Sequence, residues 1–174
     1  MTVVNRLLLV ISVLTVCILI DQITKEVAGI TLSPLVSTAY LNGFIRFIYA
    51  ENTGILLSIG VSLSDSMKFW LFTLSPSLLL LGLLVYILIR EELSRLTLIS
   101  CSMIIGGGVS NIIDRLTNDG AVVDFMYLDL WGLPTGIFNI ADVAISAGSV
   151  ALIILTLTGR TKVSPDYFKK HRLG

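Results

Sequence analysis

Apolar residues along this chain gather into four long blocks, Leu7 to Ile20, Phe69 to Ile89, Leu96 to Ile113 and Ile137 to Thr158, separated by polar connections. A bilayer core needs roughly 20 apolar helical residues to cross it, and the last three blocks have that length. The first is shorter and also matches the apolar core of a signal peptide, with Val27-Ala28-Gly29 as a loose cleavage site. An uncleaved helix is the better reading. Asp21, Gln22, Lys25 and Glu26 separate the apolar core from that site, and Asp21 with Lys25 has the i,i+4 order of a helix that continues. Lys25 is expected to extend to the interface. The pattern predicts a mainly α, polytopic membrane protein with spans at approximately 7–28, 69–89, 96–113 and 137–158, in a single membrane-embedded domain covering 1–174.

Orientation follows from the basic residues. Arg6, Arg90, Arg95, Arg160, Lys162, Lys169, Lys170 and Arg172 fall on one side, against Lys25, Arg46, Lys68 and Arg115 on the other. The richer side is cytoplasmic by the positive-inside rule, so both termini are expected there. The tail 159–174 reads as a topology anchor that also meets anionic lipid headgroups. Two loops then lie outside, approximately 29–67 and 117–136. In the first, Asn42-Gly43 between Ala39-Tyr40-Leu41 and Phe44 to Tyr49 signals a hairpin, hence a small sheet capping the helix ends. The second carries Asp119, Asp124, Asp129, Trp131 and Pro134, with Tyr127 and Trp131 expected at headgroup depth.

Composition removes several classes. The chain is 55% hydrophobic and 14% charged with a formal net charge of zero, and no basic stripe interleaved with aromatics marks a nucleic-acid binder. Cys17 and Cys101 sit within apolar runs, where thiols act as small hydrophobes. The single histidine, His171, lies in the basic tail, so no His/Cys cluster for zinc is present and no metal site is expected.

Carboxylates near hydrocarbon are costly and therefore informative. Asp142, read as the sixth residue of the fourth span, falls roughly 8 Å along it at 1.5 Å per residue. Asn139, three residues earlier, shares its face and offers an amide to it. Its plain structural alternative is a helix-packing hydrogen bond. The third span ends in Gly106-Gly107-Gly108-Val109-Ser110-Asn111-Ile112-Ile113-Asp114-Arg115. Ser102, Gly106 and Ser110 are spaced for close helix packing, and a knot of Asn111, Asp114 and Arg115 is expected at the helix end. Gly120 allows a turn, after which Ala121 to Phe125 reads as extended and would deliver Asp124 beside Asp142. Alone, Asp124 is an ordinary loop acid. Paired, two carboxylates in a poorly hydrated site share a proton, so one serves as base to water and the other polarises a carbonyl. Serine hydrolysis fails because the only histidine, His171, lies in the cytoplasmic tail, and metal hydrolysis fails for want of ligands.

The ordered motifs resemble those of the lipoprotein signal peptidase (signal peptidase II) family: Asp21-Gln22-Ile23-Thr24-Lys25, Asn52-Thr53-Gly54, Asn111-Ile112-Ile113-Asp114-Arg115 with Gly120 and Val122-Val123-Asp124-Phe125, and Phe138-Asn139-Ile140-Ala141-Asp142. The resemblance implies a bacterial inner-membrane aspartic endopeptidase without cofactor. Asp124 and Asp142 would be its catalytic dyad, with Asn52, Gly54, Asn111, Arg115 and Asn139 supporting it or contacting substrate. Asp21, Lys25 and Asp114 would be structural polar residues. It further implies a β-cradle from the first outer loop, a lid from the second, prolipoproteins cut before a diacylglyceryl-modified cysteine as substrates, and membrane lipids as the other partners. Two departures from the family pattern are Ser110, where glycine is common, and Ile55-Leu56-Leu57, where an aromatic is common. A proton-coupled transporter and a chemically inert assembly protein are the rival readings. The first predicts a water path to both faces, yet the acids are concentrated on the outer half. The second predicts that Asp→Asn changes cost only stability.

Overall fold

The computed structural model describes residues 1–54, 62–130 and 132–162. Ile55-Leu56-Leu57, Trp131 and the tail residues Lys169, Lys170, His171 and Arg172 lie outside the described residues. Among the described residues there are four helical spans. The first is α1 (Val3–Thr31), capped by Thr2, whose hydroxyl accepts from the Asn5 N–H, and it runs unbroken through Asp21 and Lys25. The second comprises α2 (Asp65–Lys68), a π-helical stretch (Phe69–Leu74) and α3 (Ser75–Ile89). Pro76 explains the π turn: it has no N–H to donate and its ring crowds the carbonyl four residues back, so Ser75 donates instead to Trp70, five residues back. The third span is α4 (Arg95–Thr117) and the fourth α5 (Ile140–Leu157). All four fall on the hydrophobic blocks; the first three extend beyond the predicted ends by one to four residues, and the fourth starts three residues later, at Ile140.

Helix α4 is the central post and packs on α1, α3 and α5. Three consecutive glycines make this arrangement fit. A Cβ on Gly106 would meet Cys17 of α1 at 2.8 Å, one on Gly107 the Ala141 carbonyl of α5 at 2.5 Å, and one on Gly108 the Leu80 side chain of α3 at 2.6 Å. At about 100° per residue, three successive positions face three directions, so each glycine admits a different neighbour. The main apolar core, Val10, Ile87, Leu93, Leu98, Cys101 and Ile105, lies between α1, α3 and α4. At this end Arg6 is buried and donates to the Ile87 and Arg90 carbonyls, satisfying the end of α3.

The other end carries a four-stranded antiparallel sheet in the order β1-β2-β3-β4. Strand β1 (Thr38–Tyr40) pairs with β2 (Ile45–Asn52) across a turn in which Leu41, Asn42 and Gly43 all have positive φ, the hairpin that Asn-Gly predicts. Strand β3 (Val122–Leu130) pairs with β2, and β4 (Leu133–Pro134) closes a short hairpin with β3. The sheet is therefore built from both connecting loops, not from the first alone. The extended stretch read at Ala121 to Phe125 is the start of β3, which runs on to Leu130 through the loop that the resemblance assigns to a lid and pairs there with β2.

Candidate active site

The four motifs converge where α1, α4 and the start of α5 meet the sheet. Asp142 lies nearer the helix end than its predicted sixth position. Helix α5 starts at Ile140, with Asn139 as N-cap and Asp142 in the first turn. The two form a capping box: the Asn139 side chain accepts from the Asp142 N–H at 2.9 Å, and an Asp142 oxygen accepts from the Asn139 N–H at 3.2 Å. The remaining Asp142 oxygen accepts from the Asn111 amide at 3.1 Å.

Asp124 arrives on β3 and is only 3% exposed. Its oxygens accept from Asn139 Nδ2 at 2.8 Å and from Asn52 Nδ2 at 3.0 Å. Two local devices create this meeting. Phe138 pairs with Met126, which stitches the entry to α5 onto β3 and sets Asn139 against Asp124. The second device is a bulge in β2 between Phe47 and Ala50. Beyond it Asn52 pairs with Val122, so Asn52 and Asp124 share one face of the sheet. In the unshifted register Asn52 would oppose Ala121 and project from the opposite face. The sequence offers no sign of this bulge.

Burial pushes the Asp124 carboxyl up to about 6; the nearby Asp142 charge adds to the effect, and the bonds from Asn52 and Asn139 oppose it. Both carboxylates line one cavity of about 910 Å³ together with Asn52, Asn111, Arg115, Thr135, Gly136 and Phe138. The cavity continues along α5 past Val143, Ala147, Val150, Ala151 and Ile154. From Asp142 to Ile154 this apolar groove runs roughly 18 Å at 1.5 Å per residue.

Arg115 does not join the expected knot with Asp114. It donates to the Gly54 carbonyl at 2.6 Å and to the Gly120 carbonyl at 2.8 Å, over the Phe72 ring, and so ties the Asn52-Thr53-Gly54 segment to the turn before β3. Lys25 takes its place. Its ammonium is 4% exposed and lies 2.6 Å from Asp21 and 2.8 Å from Asp114, so it does not reach the interface as expected. Two carboxylates, each also hydrogen-bonded, offset the cost of taking its charge out of water. Asp21 accepts from the Ala141 N–H at 2.7 Å and from Ser110 at 2.8 Å, and Asp114 from Gln22 at 2.8 Å and the Val123 N–H at 3.0 Å. The knot thus binds α1 and α4 to both strands of chain that carry the dyad. Ser110, where the family pattern has glycine, is fully buried and uses its hydroxyl in this knot. Gln22, Phe72 and the groove residues of α5 are participants that the motifs alone did not single out. Gln22 sits within the first motif, one residue from Asp21, which is the only available signal. Among the described residues no group of three His, Cys, Asp or Glu side chains converges as a metal site would need.

Residues 13–158 match the family model described as signal peptidase (SPase) II. A lipoprotein signal peptidase of Borrelia hermsii is 33% identical over 91% of this chain and 95% of its own length. One from Chlorobium phaeobacteroides is 34% identical over 83% of this chain and 87% of its own. Among solved structures, a bacterial membrane enzyme determined by the in meso method at 2.3 Å resolution superposes with a TM-score of 0.75 and 27% identity, over 86% of this chain and 87% of that one.

Proposed function

The chain belongs to the signal peptidase II family, and on that premise we propose that it is an aspartic endopeptidase that removes the signal peptide from prolipoproteins. It cuts before a diacylglyceryl-modified cysteine, with Asp124 and Asp142 activating water. The observation that carries this reading is the shared wall: two carboxylates, each held by N–H donors on both oxygens, face one cavity that opens into an apolar groove. Two such groups in a poorly hydrated site hold one proton between them. The ionised one takes a proton from water as that water attacks the scissile carbonyl. The protonated one donates to the carbonyl oxygen, where negative charge develops. No metal or organic cofactor is assigned a step.

The groove along α5 suits the lipid of the substrate. Acyl chains lying against Val143, Val150 and Ile154 stay among helices, so little apolar surface meets water while the peptide reaches the dyad near the helix ends. The other supporting residues follow from position: Asn52 and Asn139 orient Asp124, Asn111 orients Asp142, and Arg115 holds Gly54 at the rim. By the bias of basic residues, both termini lie in the cytoplasm of a bacterial inner membrane and the sheet-bearing end faces outward.

The test is cleavage of a diacylglyceryl-modified prolipoprotein by the purified protein in lipid, with chelator present. Wild type and Asp129→Asn are expected to cut, because Asp129 pairs with Arg46 at 3.6 Å on the far part of the sheet. Asp124→Asn and Asp142→Asn, folded, are expected not to cut. Cleavage by either dyad variant at the wild-type rate overturns the assignment.

A further inference from the structure

Lys25 stands outside the cavity, yet it is connected to it through one amide. Its ammonium donates to Asn111 Oδ1 at 2.9 Å, and Asn139 donates to the same oxygen at 3.1 Å. An ammonium has no acceptor, so Asn111 meets it only through oxygen, and the Asn111 amide is thereby forced to point its N–H at Asp142. The two carboxylates of the dyad accept equal numbers of N–H donors, so donor count does not separate them. Three other features do. Asp142 lies in the first turn of α5, where the helix dipole favours negative charge, whereas Asp124 lies on a strand with no such field. Asp142 is half-buried and Asp124 almost fully buried, so ionisation costs Asp124 more. Asp142 is one amide away from the Lys25 ammonium, whereas Asp124 reaches it only through two, Asn139 and then Asn111. The charged groups around Asp142 are Lys25 and Asp21 of α1, Arg115 of α4 and Asp124 of β3, with Asp114 of α4 held on the far side of Lys25.

We propose that Lys25 is a positioning residue for the dyad: acting through Asn111, it keeps Asp142 as the carboxylate that takes the proton from water and leaves the shared proton on Asp124. This rests on the peptidase reading above and assigns roles within it. As the water oxygen bonds to the carbonyl carbon, its proton passes to Asp142 and the Asp124 proton passes to the carbonyl oxygen. When the C–N bond breaks, Asp142 returns its proton to the leaving nitrogen, and one hydroxyl of the tetrahedral intermediate returns its proton to Asp124. Both groups end as they began.

Infrared spectroscopy of the purified protein in lipid at pH 5 tests this through the stretching band of a protonated carboxyl. The band is expected to persist in Asp142→Asn and to vanish in Asp124→Asn. Adding Lys25→Met to Asp124→Asn restores it, now on Asp142, while adding Lys25→Arg does not. Where Lys25→Met leaves the knot too acidic to fold, the paired change Lys25→Met/Asp114→Asn removes one charge of each sign and gives the same readout. A band that persists in Asp124→Asn and vanishes in Asp142→Asn overturns the assignment, as does failure of the charge-removing variants to restore it. Cleavage measured on the same single dyad variants keeps the two readings apart. Loss of cutting with reversed bands overturns only the division of roles between Asp124 and Asp142, whereas cutting by both overturns the peptidase dyad itself.

Discussion

Asn139 donates its side-chain amide to Asp124 at 2.8 Å while serving as N-cap of the helix that carries Asp142, so one residue sets the position of both carboxylates. Asn139→Ala removes the cap, at about 1 kcal/mol, and leaves buried acceptors without their donor, at about 1–3 kcal/mol. The expected result is a loss of about 2–4 kcal/mol in unfolding free energy in detergent, with cleavage reduced at least on the order of tenfold. Retention of full activity would show that the dyad positions itself.

Two glycine substitutions separate close packing from mere helix propensity. Gly107→Ala drives a Cβ into the Ala141 carbonyl, one residue from Asp142, and is expected to cost about 1–3 kcal/mol and to depress cleavage. Gly82→Ala meets no atom within 4 Å, in the interior of α3. It is expected to raise stability by about 0.5–1 kcal/mol and leave the rate unchanged. Thermal unfolding and a cleavage assay on both variants read the contrast directly.

Arg115→Lys keeps the charge but loses the fork that grips two carbonyls at once. One lost charge-assisted bond is worth about 1.5–3 kcal/mol, and it loosens the link between Gly54 and Gly120. Asn52 then holds Asp124 less well, so kcat/KM is expected to fall roughly tenfold or more while the helices remain folded by circular dichroism. An unaltered kcat/KM would remove Arg115 from the support of the dyad.

Stability carries a pH signature from Asp124. Its folded-state value of about 6 lies above the ordinary 3.8, so the stability tied to its neutral form is complete below 3.8 and is lost as pH climbs to about 6. At about 1.4 kcal/mol per pH unit, the gap of 2.2 corresponds to about 3 kcal/mol. Asp124→Asn cannot ionise. Its melting temperature relative to wild type is therefore expected to move in its favour between pH 4 and pH 7, and a difference that stays flat over that range would contradict the burial argument.

The spans were legible because each is a local property: a run of apolar residues crosses a bilayer wherever it occurs, and the structure places α1, α3, α4 and α5 on the predicted blocks. The Asn42-Gly43 turn was legible for the same reason, since positive φ is a demand on adjacent residues, although Leu41 before them takes it too. Asp142 was placed too far along its helix because apolar Ile137 and Phe138 read as part of the span. Pairing of Phe138 with Met126 instead extends the sheet up to Asn139, and the helix begins only after that cap.

What the sequence alone determined is the set of parts: four spans, a hairpin, and polar residues too costly to sit beside hydrocarbon without partners. Which partners they found was decided only in three dimensions. Lys25 to Asp114 spans 89 positions, and Asn52 to Asp124 spans 72 and depends on a one-residue bulge. No local pattern encodes such contacts, because they arise where close-packed glycines let α1, α4 and α5 approach and where the bulge turns Asn52 to the face of Asp124. The chain itself carries the acids, and the packing makes them a pair.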